Sequence, residues 1–142
     1  MGQLRDRNAV LMPNEIEAIK VTQEVIKRMA DNSAKTKTVF LALFAAAVTL
    51  HKSITMDAFV FLGMASVIVC LWYTDAKYLQ LERQFRMHHQ AIINGTVGYP
   101  DQWKLNPAAY KTEPVAKIMF CNFTMFIYWL SGLFLLKLGI VG

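Results

Sequence analysis

In the segment LERQFRMHHQ, Arg83 and His88 stand with four residues between them, and His89 follows at once. A guanidinium that can hold an anion and an imidazole that can move a proton are residue types suited to acid–base chemistry. Two adjacent histidines near Arg83 and Arg86 make this string easy to meet by chance. The plainer reading of His88 and His89 is a polar helix surface near acidic lipid headgroups. Metal binding needs several ligands within reach. His51 lies far from His88 and His89 in the chain, and Cys70 and Cys121 are not spaced as partners for either. No Gly-rich phosphate loop and no Ser–His–acid set is present. No catalytic residue, metal site or cofactor is therefore assigned, and the chain reads as a non-enzyme.

The elements that carry these residues are dominated by three apolar blocks, Val39–Leu50, Ala58–Tyr73 and Ile118–Leu136, none of which contains a charge. Apolar residues make up 55% of the 142 and charged residues 18%, against about 45–50% and about 25% in ordinary soluble domains. A soluble chain this short could bury one helix that is apolar nearly all round, but not three. The expectation is an all-α integral membrane protein. A transmembrane hairpin occupies 34–73, with spans at about 34–51 and 56–74, and a third transmembrane helix lies in 118–142. The first span reaches membrane thickness only if it starts near Ala34, with Lys35 and Lys37 snorkelling to the headgroups.

Charge gives the orientation. Thirteen of the 15 Lys and Arg precede the first block or lie between the second and third; only Lys52 and Lys137 fall on the other side. By the positive-inside rule the N-terminus and 74–117 are cytoplasmic and the C-terminus is outside, in the periplasm for an inner-membrane protein. The net charge of +5 is then a matter of topology and lipid attraction, with no call for nucleic acid. MGQLRDRNAV has no apolar run of a signal peptide, and Asp6 stands where myristoylation wants Ser or Thr. Cys70 and Cys121 read as free thiols packed like small apolar side chains.

Two cytoplasmic elements flank the membrane part. The segment 1–33 contains an amphipathic helix opened by Pro13, with Asn14 as cap and Glu17 as its capping-box partner. Ile16, Ile19, Ile26 and Met29 share one face. The segment 74–117 is a helix and a linker. Nothing breaks the chain from Tyr73 to Ile93, so the second span should run on into the cytoplasm as one rod. Tyr78, Leu81 and Phe85 form an apolar stripe on it and Glu82–Arg86 an i,i+4 ion pair, which marks this stretch for self-association or sensing. NGTVGYPD should end the helix, with Trp103 and Tyr110 beyond it at headgroup level.

Each span has a face of small or polar residues: Thr38, Ala42, Ala45 and Thr49; Phe59, Gly63, Ser66, Cys70 and Tyr73; Cys121, Thr124, Tyr128 and Ser131, with Asn122 beside the last. Close packing between helices is the ordinary use of such faces. The functional use is a wet path, which three spans can enclose only in a ring of subunits. Asn122, Thr124, Ser131, Ser66 and Thr49 are the lining or interhelical candidates. No inverted repeat, broken span or midplane carboxylate points to a transporter.

The string WYTDAKYLQLERQFRMHHQAI, 72–92, resembles a segment of small bacterial multi-pass proteins in which an aromatic-rich span runs into a DAYYLRQERLFRKLY-like helix. Asp75, Tyr78, Leu79, Glu82, Arg83, Phe85 and Arg86 match, while Lys77, Gln80, Met87 and His88 depart. AKIMFCNFTMFIYWLSGL is similar to their last span. The likeness covers about a third of the chain and places it beside the two-to-four-span membrane effectors of bacterial conflict systems, including those with SLATT-like domains. It implies an antiviral-defence role in which copies assemble and permeabilise the inner membrane when a cytoplasmic regulatory protein or nucleotide signal releases them. The R-x4-H string is of the sort that endoribonucleases of the HEPN class use. The combined expectation is a homo-oligomeric inner-membrane protein of at least three copies that perturbs or conducts ions across the membrane. The alternative is a non-catalytic accessory or scaffolding subunit of a larger complex.

Overall fold

Helix α1, Pro13–Ser53, begins where proline dictates. Proline has no N–H to leave unpaired and its φ is already helical, so Pro13 takes the first helical position and Met12 becomes the cap. The Met12 N–H donates to the Glu15 carboxylate at 2.8 Å, the backward half of a capping box. The partner is thus Glu15, not Glu17, and Asn14 lies inside the first turn. The computed structural model describes residues 12–53, 58–122 and 125–141, so the MGQLRDRNAVL stretch lies outside the described residues.

The cytoplasmic helix and first apolar block, expected as separate helices, are one helix of 41 residues, about 60 Å long at 1.5 Å per residue. The polar run DNSAKTKT between them contains no Gly or Pro to break it. Its hydroxyls do not compete for the backbone either: Thr36 donates to the Asn32 carbonyl at 2.9 Å and Thr38 to Ala34 at 3.1 Å.

Helix α2, Ala58–Ile93, runs unbroken for 36 residues. It pairs antiparallel with α1 from the apolar end to the opposite, polar end of the hairpin. The seam on α1 is Ala18, Thr22, Ser33, Phe40 and Ala47, all buried. Small residues at 18 and 22 let the helices approach, so the seam runs beside the isoleucines, and Ile16 stays exposed. On α2 the buried positions are Ile68, Asp75, Ala76, Phe85, His88 and Ile92. Gly95, at φ 69°, ends α2: its N–H donates to the Ile92 carbonyl at 3.0 Å and the Thr96 N–H to Ala91 at 3.0 Å. These are the paired bonds of a Schellman cap.

The chain then returns along α2. Two short 3₁₀ turns, Asp101–Trp103 and Pro107–Ala109, lead to α3, Val115–Cys121. The link is tied down in reverse order: Gln102 to His88, Tyr110 to His88 and Gln84, Glu113 to Arg83 and Gln80. Trp103 therefore sits near the end of α2, in the first of these turns, and Tyr110 lies beside His88.

The third apolar block is not one helix. It breaks at Asn122, which adopts an extended backbone (φ −93°, ψ 129°), and resumes as α4, Phe126–Val141, with a 67° bend between the two pieces. Asparagine offers the backbone alternatives to helix; here the Asn122 carbonyl accepts the Met125 N–H at 2.9 Å. Phe40, Ile68, Ala76, Ile118, Met125 and Tyr128 form the core where α3 and α4 meet the hairpin. The fold is all-α, with no strand among the described residues. Among those residues no single helix is long and apolar enough to cross a membrane, while the bent pair Val115–Cys121 and Phe126–Phe134 passes by length and composition.

Candidate functional site

Asp75 is the first charged residue after the apolar run of α2 and is completely buried, at 0% exposure. Its carboxylate receives donors from two other helices. On α1, Ser33 and Lys37 are one turn apart: the Ser33 hydroxyl donates to Oδ1, and the Lys37 ammonium lies 2.8 Å from Oδ1 and 2.7 Å from Oδ2. Lys37 also donates to the Ser33 hydroxyl oxygen at 2.7 Å. On α4, the Tyr128 hydroxyl donates to Oδ2 at 3.2 Å.

Aromatic rings close the site on the apolar side. Phe40 packs against Tyr128 with centroids 4.4 Å apart, and Trp72 stacks on Tyr128 at 6.3 Å and meets Trp129 edge-on at 5.6 Å. A carboxylate taken out of water is costly unless paired and fully hydrogen-bonded. Lys37 supplies the charge, and the two hydroxyls supply the remaining donors. The arrangement joins α1, α2 and α4 at one level, where the charge-free part of the hairpin begins. Lys37 does not snorkel freely; its ammonium is folded onto Asp75, with 29% of the side chain exposed.

A second polar centre lies toward the end of the hairpin far from the apolar blocks. His88 is buried, with Nδ1 2.9 Å from the Tyr110 hydroxyl and Nε2 3.3 Å from the Gln102 carbonyl. The carbonyl can only accept, so Nε2 carries the proton and Tyr110 donates to Nδ1. Burial raises the Tyr110 pKa. His89 is half-buried with Nδ1 unpartnered, and burial, then proximity to His88, lowers its pKa. Arg83 points elsewhere, to Glu113 at 2.9 Å. Glu113 is shared with Lys117 at 2.6 Å, and these cations, Lys117 first, hold its carboxyl below the usual range. The R-x4-H residues thus fasten the return link, and His88 is not a polar surface group. Among the described residues no group of three His, Cys, Asp or Glu could hold a metal ion.

The residues singled out by sequence are scattered. Asn122 is half-buried at the break before α4, and Thr124 lies outside the described residues. Ser131 is buried and donates to the Ile127 carbonyl at 2.7 Å. Ser66 and Thr49 are exposed, and each donates to the carbonyl four residues back, at 2.9 Å. Phe85 is buried, while Tyr78 and Leu81 are half-buried. Arg86 pairs with Glu82 at 2.6 Å. Cys70 and Cys121 are free and exposed rather than packed.

The Ser33–Lys37–Asp75–Tyr128 set was not assembled by sequence reasoning, although a signal for it exists. A hairpin turning between Ser53 and Ala58 brings Lys37, sixteen residues before Ser53, level with Thr74 and Asp75, sixteen and seventeen after Ala58. No protein-family model, curated protein or solved structure matches the chain.

Proposed function

We propose that this chain is a membrane-embedded homo-oligomer that perturbs the inner-membrane barrier by letting ions across. One observation carries the reading: the apolar end of the hairpin is left uncovered by the described residues of the protomer. Phe59 is 82% exposed and Leu62 65%, and Val39, Leu41, Val67, Val69, Leu130 and Leu133 are exposed beside them. Water-facing monomers rarely carry a contiguous apolar patch above about 300–600 Å², and this belt encircles three helices. Lipid is the solvent that suits it. The segment Ala58–Thr74 of α2 is charge-free for 17 residues, about 26 Å of helix, and the bent α3–α4 pair would supply a further crossing.

The oligomer is supported by where the small residues point. Thr38, Ala42, Ala45 and Thr49 on α1 are exposed, as are Gly63, Ser66 and Cys70 on α2. In lipid such faces are where helices of another subunit approach. With every copy inserted the same way round, a ring of at least three about the membrane normal satisfies each interface. The resemblance of 72–92 to conflict-system effectors supports a defence role, with release by a cytoplasmic protein or nucleotide signal.

Purified protein in liposomes tests this. Dissipation of a potassium-diffusion potential, with a multimer by native mass spectrometry, is the expected result. A monomer, or sealed vesicles at high protein-to-lipid ratio, overturns it. Asn122→Leu should abolish the leak and leave assembly intact; a retained leak removes the third segment from the path. The reading as an accessory subunit is favoured by a different feature, the exposed Met12, Ile16, Tyr99, Trp103 and Leu105 at the cytoplasmic end. Inert vesicles and a stoichiometric partner that is lost on Trp103→Ser would support it.

A further inference from the structure

The two polar residues of α4 expected to face a path, Tyr128 and Ser131, are both buried inside the protomer. They can line anything only if α4 leaves the hairpin. The break and the polar grip lie together at the start of α4, Asn122 before it and Tyr128 in its first turn. At its start the chain is non-helical at Asn122 and bends by 67° between α3 and α4, a place where a few backbone angles can absorb a swing. α3 itself is fixed, because the preceding Glu113 is tied to Arg83 and Lys117 and Ile118 is buried.

The grip on α4 is weaker than the grip on α1. Lys37 holds Asp75 at 2.7 and 2.8 Å and Ser33 adds a further hydrogen bond. The Tyr128 hydroxyl sits 3.2 Å away, long for a hydroxyl on a carboxylate, where about 2.6 Å is usual. If Tyr128 lets go, Asp75 keeps its counter-charge and two donors, so the carboxylate does not oppose the release. The other contacts of α4 with the hairpin among the described residues are apolar or between rings: Tyr128 on Phe40 and Trp72, Trp129 on Trp72, Phe134 on Phe44 and Ile127 on the core. In a bilayer these can be exchanged for lipid or a neighbouring helix at little loss.

We propose that the Tyr128–Asp75 hydrogen bond is a latch that keeps the α4 arm closed against the α1–α2 hairpin, and that its release is the step that exposes the polar face of α4. The ease with which α4 leaves and the role given to its exposed face rest on the membrane reading above; the hydrogen bond that holds it closed does not. Because Asp75 lies on the same unbroken helix as Phe85 and His88, a cytoplasmic signal that shifts α2 relative to α1 acts on the acceptor of the latch.

The test is a distance measurement on the full chain in nanodiscs. Cys70 and Cys121 are replaced by Ala, and spin labels are placed through Leu43→Cys on α1 and Leu133→Cys on α4, both exposed sites. Labelled protomers are diluted with unlabelled ones. Tyr128→Phe keeps the ring and removes only the hydroxyl. It should raise the ratio of a second, longer α1–α4 distance to the closed one by about ten-fold, the lower end for a hydrogen bond to a charged group. An unchanged distribution overturns the latch. A second label pair, Leu43→Cys with Val67→Cys on α2, should not move. If both pairs broaden, the hydroxyl is a general folding element and the latch is again overturned. Vesicle leak is read separately: absence of leak in wild type and variant alike counts against the membrane-barrier function, while the distances still decide the latch.

Discussion

Replacing Lys37 by Met removes the one counter-charge that, among the described residues, lies within hydrogen-bond reach of a carboxylate that is 0% exposed, and leaves its two hydroxyl donors in place. Breaking a buried ion pair from one side costs about 3–5 kcal/mol, because the remaining charge stays out of water. Lys37 keeps 29% of its side chain exposed, so some water reaches the site and the lower end, about 3 kcal/mol, is expected. For a chain of this size each kcal/mol shifts the midpoint by roughly 3 °C, which gives a fall of about 10 °C. The measurement is helicity against temperature in a mild detergent, with reversibility checked. The double variant Lys37→Met, Asp75→Leu should recover most of the loss, since an apolar pair of similar volume is about as stable as the ion pair it replaces. If Lys37→Met melts within 2 °C of the parent, Asp75 is neutral or wet in the folded protein, and the buried pair does not hold the helices together.

Other consequences can be checked one by one. A Cβ at Gly63 meets nothing within 4 Å in the protomer, so Gly63→Leu should leave the melting point of the monomer unchanged and shift native mass spectra from multimer to monomer. Gly95→Ala forces a side chain into a backbone at φ 69°, and should cost about 1 kcal/mol, seen as faster amide exchange over 88–98 with no change near Asp75. His89 is held below the ordinary value of 6.5 by burial and by His88. The folded chain therefore binds fewer protons than the unfolded one, and stability present above pH 6.5 is lost as pH falls below it; His89→Gln should flatten the melting-point profile between pH 7.5 and 5.5. Glu113→Gln should free the return link, with protease cleavage in 104–114 rising while the Lys37–Asp75 region keeps its exchange protection.

The helical hairpin was legible because its signals are local. Apolar blocks without charges, a missing breaker from Tyr73 to Ile93 and a turn signal at Gly95 each act within a few residues. What could not be read were joins and breaks decided by context. DNSAKTKT straddles the boundary expected at 33/34 between two helices, yet it is continuous helix, and Ser33 and Lys37 find Asp75 on the opposite helix. CNFTM looks like the middle of a span, yet the chain bends there, and apolarity carries no information about a 67° turn. The first seam was misplaced for a related reason. Periodicity marks the greasiest face, here Ile16, Ile19, Ile26 and Met29, whereas two long helices pack closest over their smallest residues, Ala18 and Thr22.

The same distinction explains which site residues emerged. Taken helix by helix, Lys37 reads as reaching headgroups and Tyr128 as part of a polar face, and Asp75 has no role beyond its place in the 72–92 string. Each reading is sensible for an isolated helix in lipid. The network arises only when three helices are aligned, and alignment follows from where the hairpin turns, which is a matter of counting. Once the turn is placed between Ser53 and Ala58, a cation on α1 and an anion on α2 fall at one level, and a buried charge must have its partner there. The third member needs more, because α4 reaches that level only after the return link has retraced α2, through Gln102, Tyr110 and Glu113. That path depends on side chains of the link finding polar partners along α2, and no periodicity in the link encodes it. Charge opposition across a helical hairpin is therefore readable from length alone, whereas the arm that the charge pair holds is readable only from the fold.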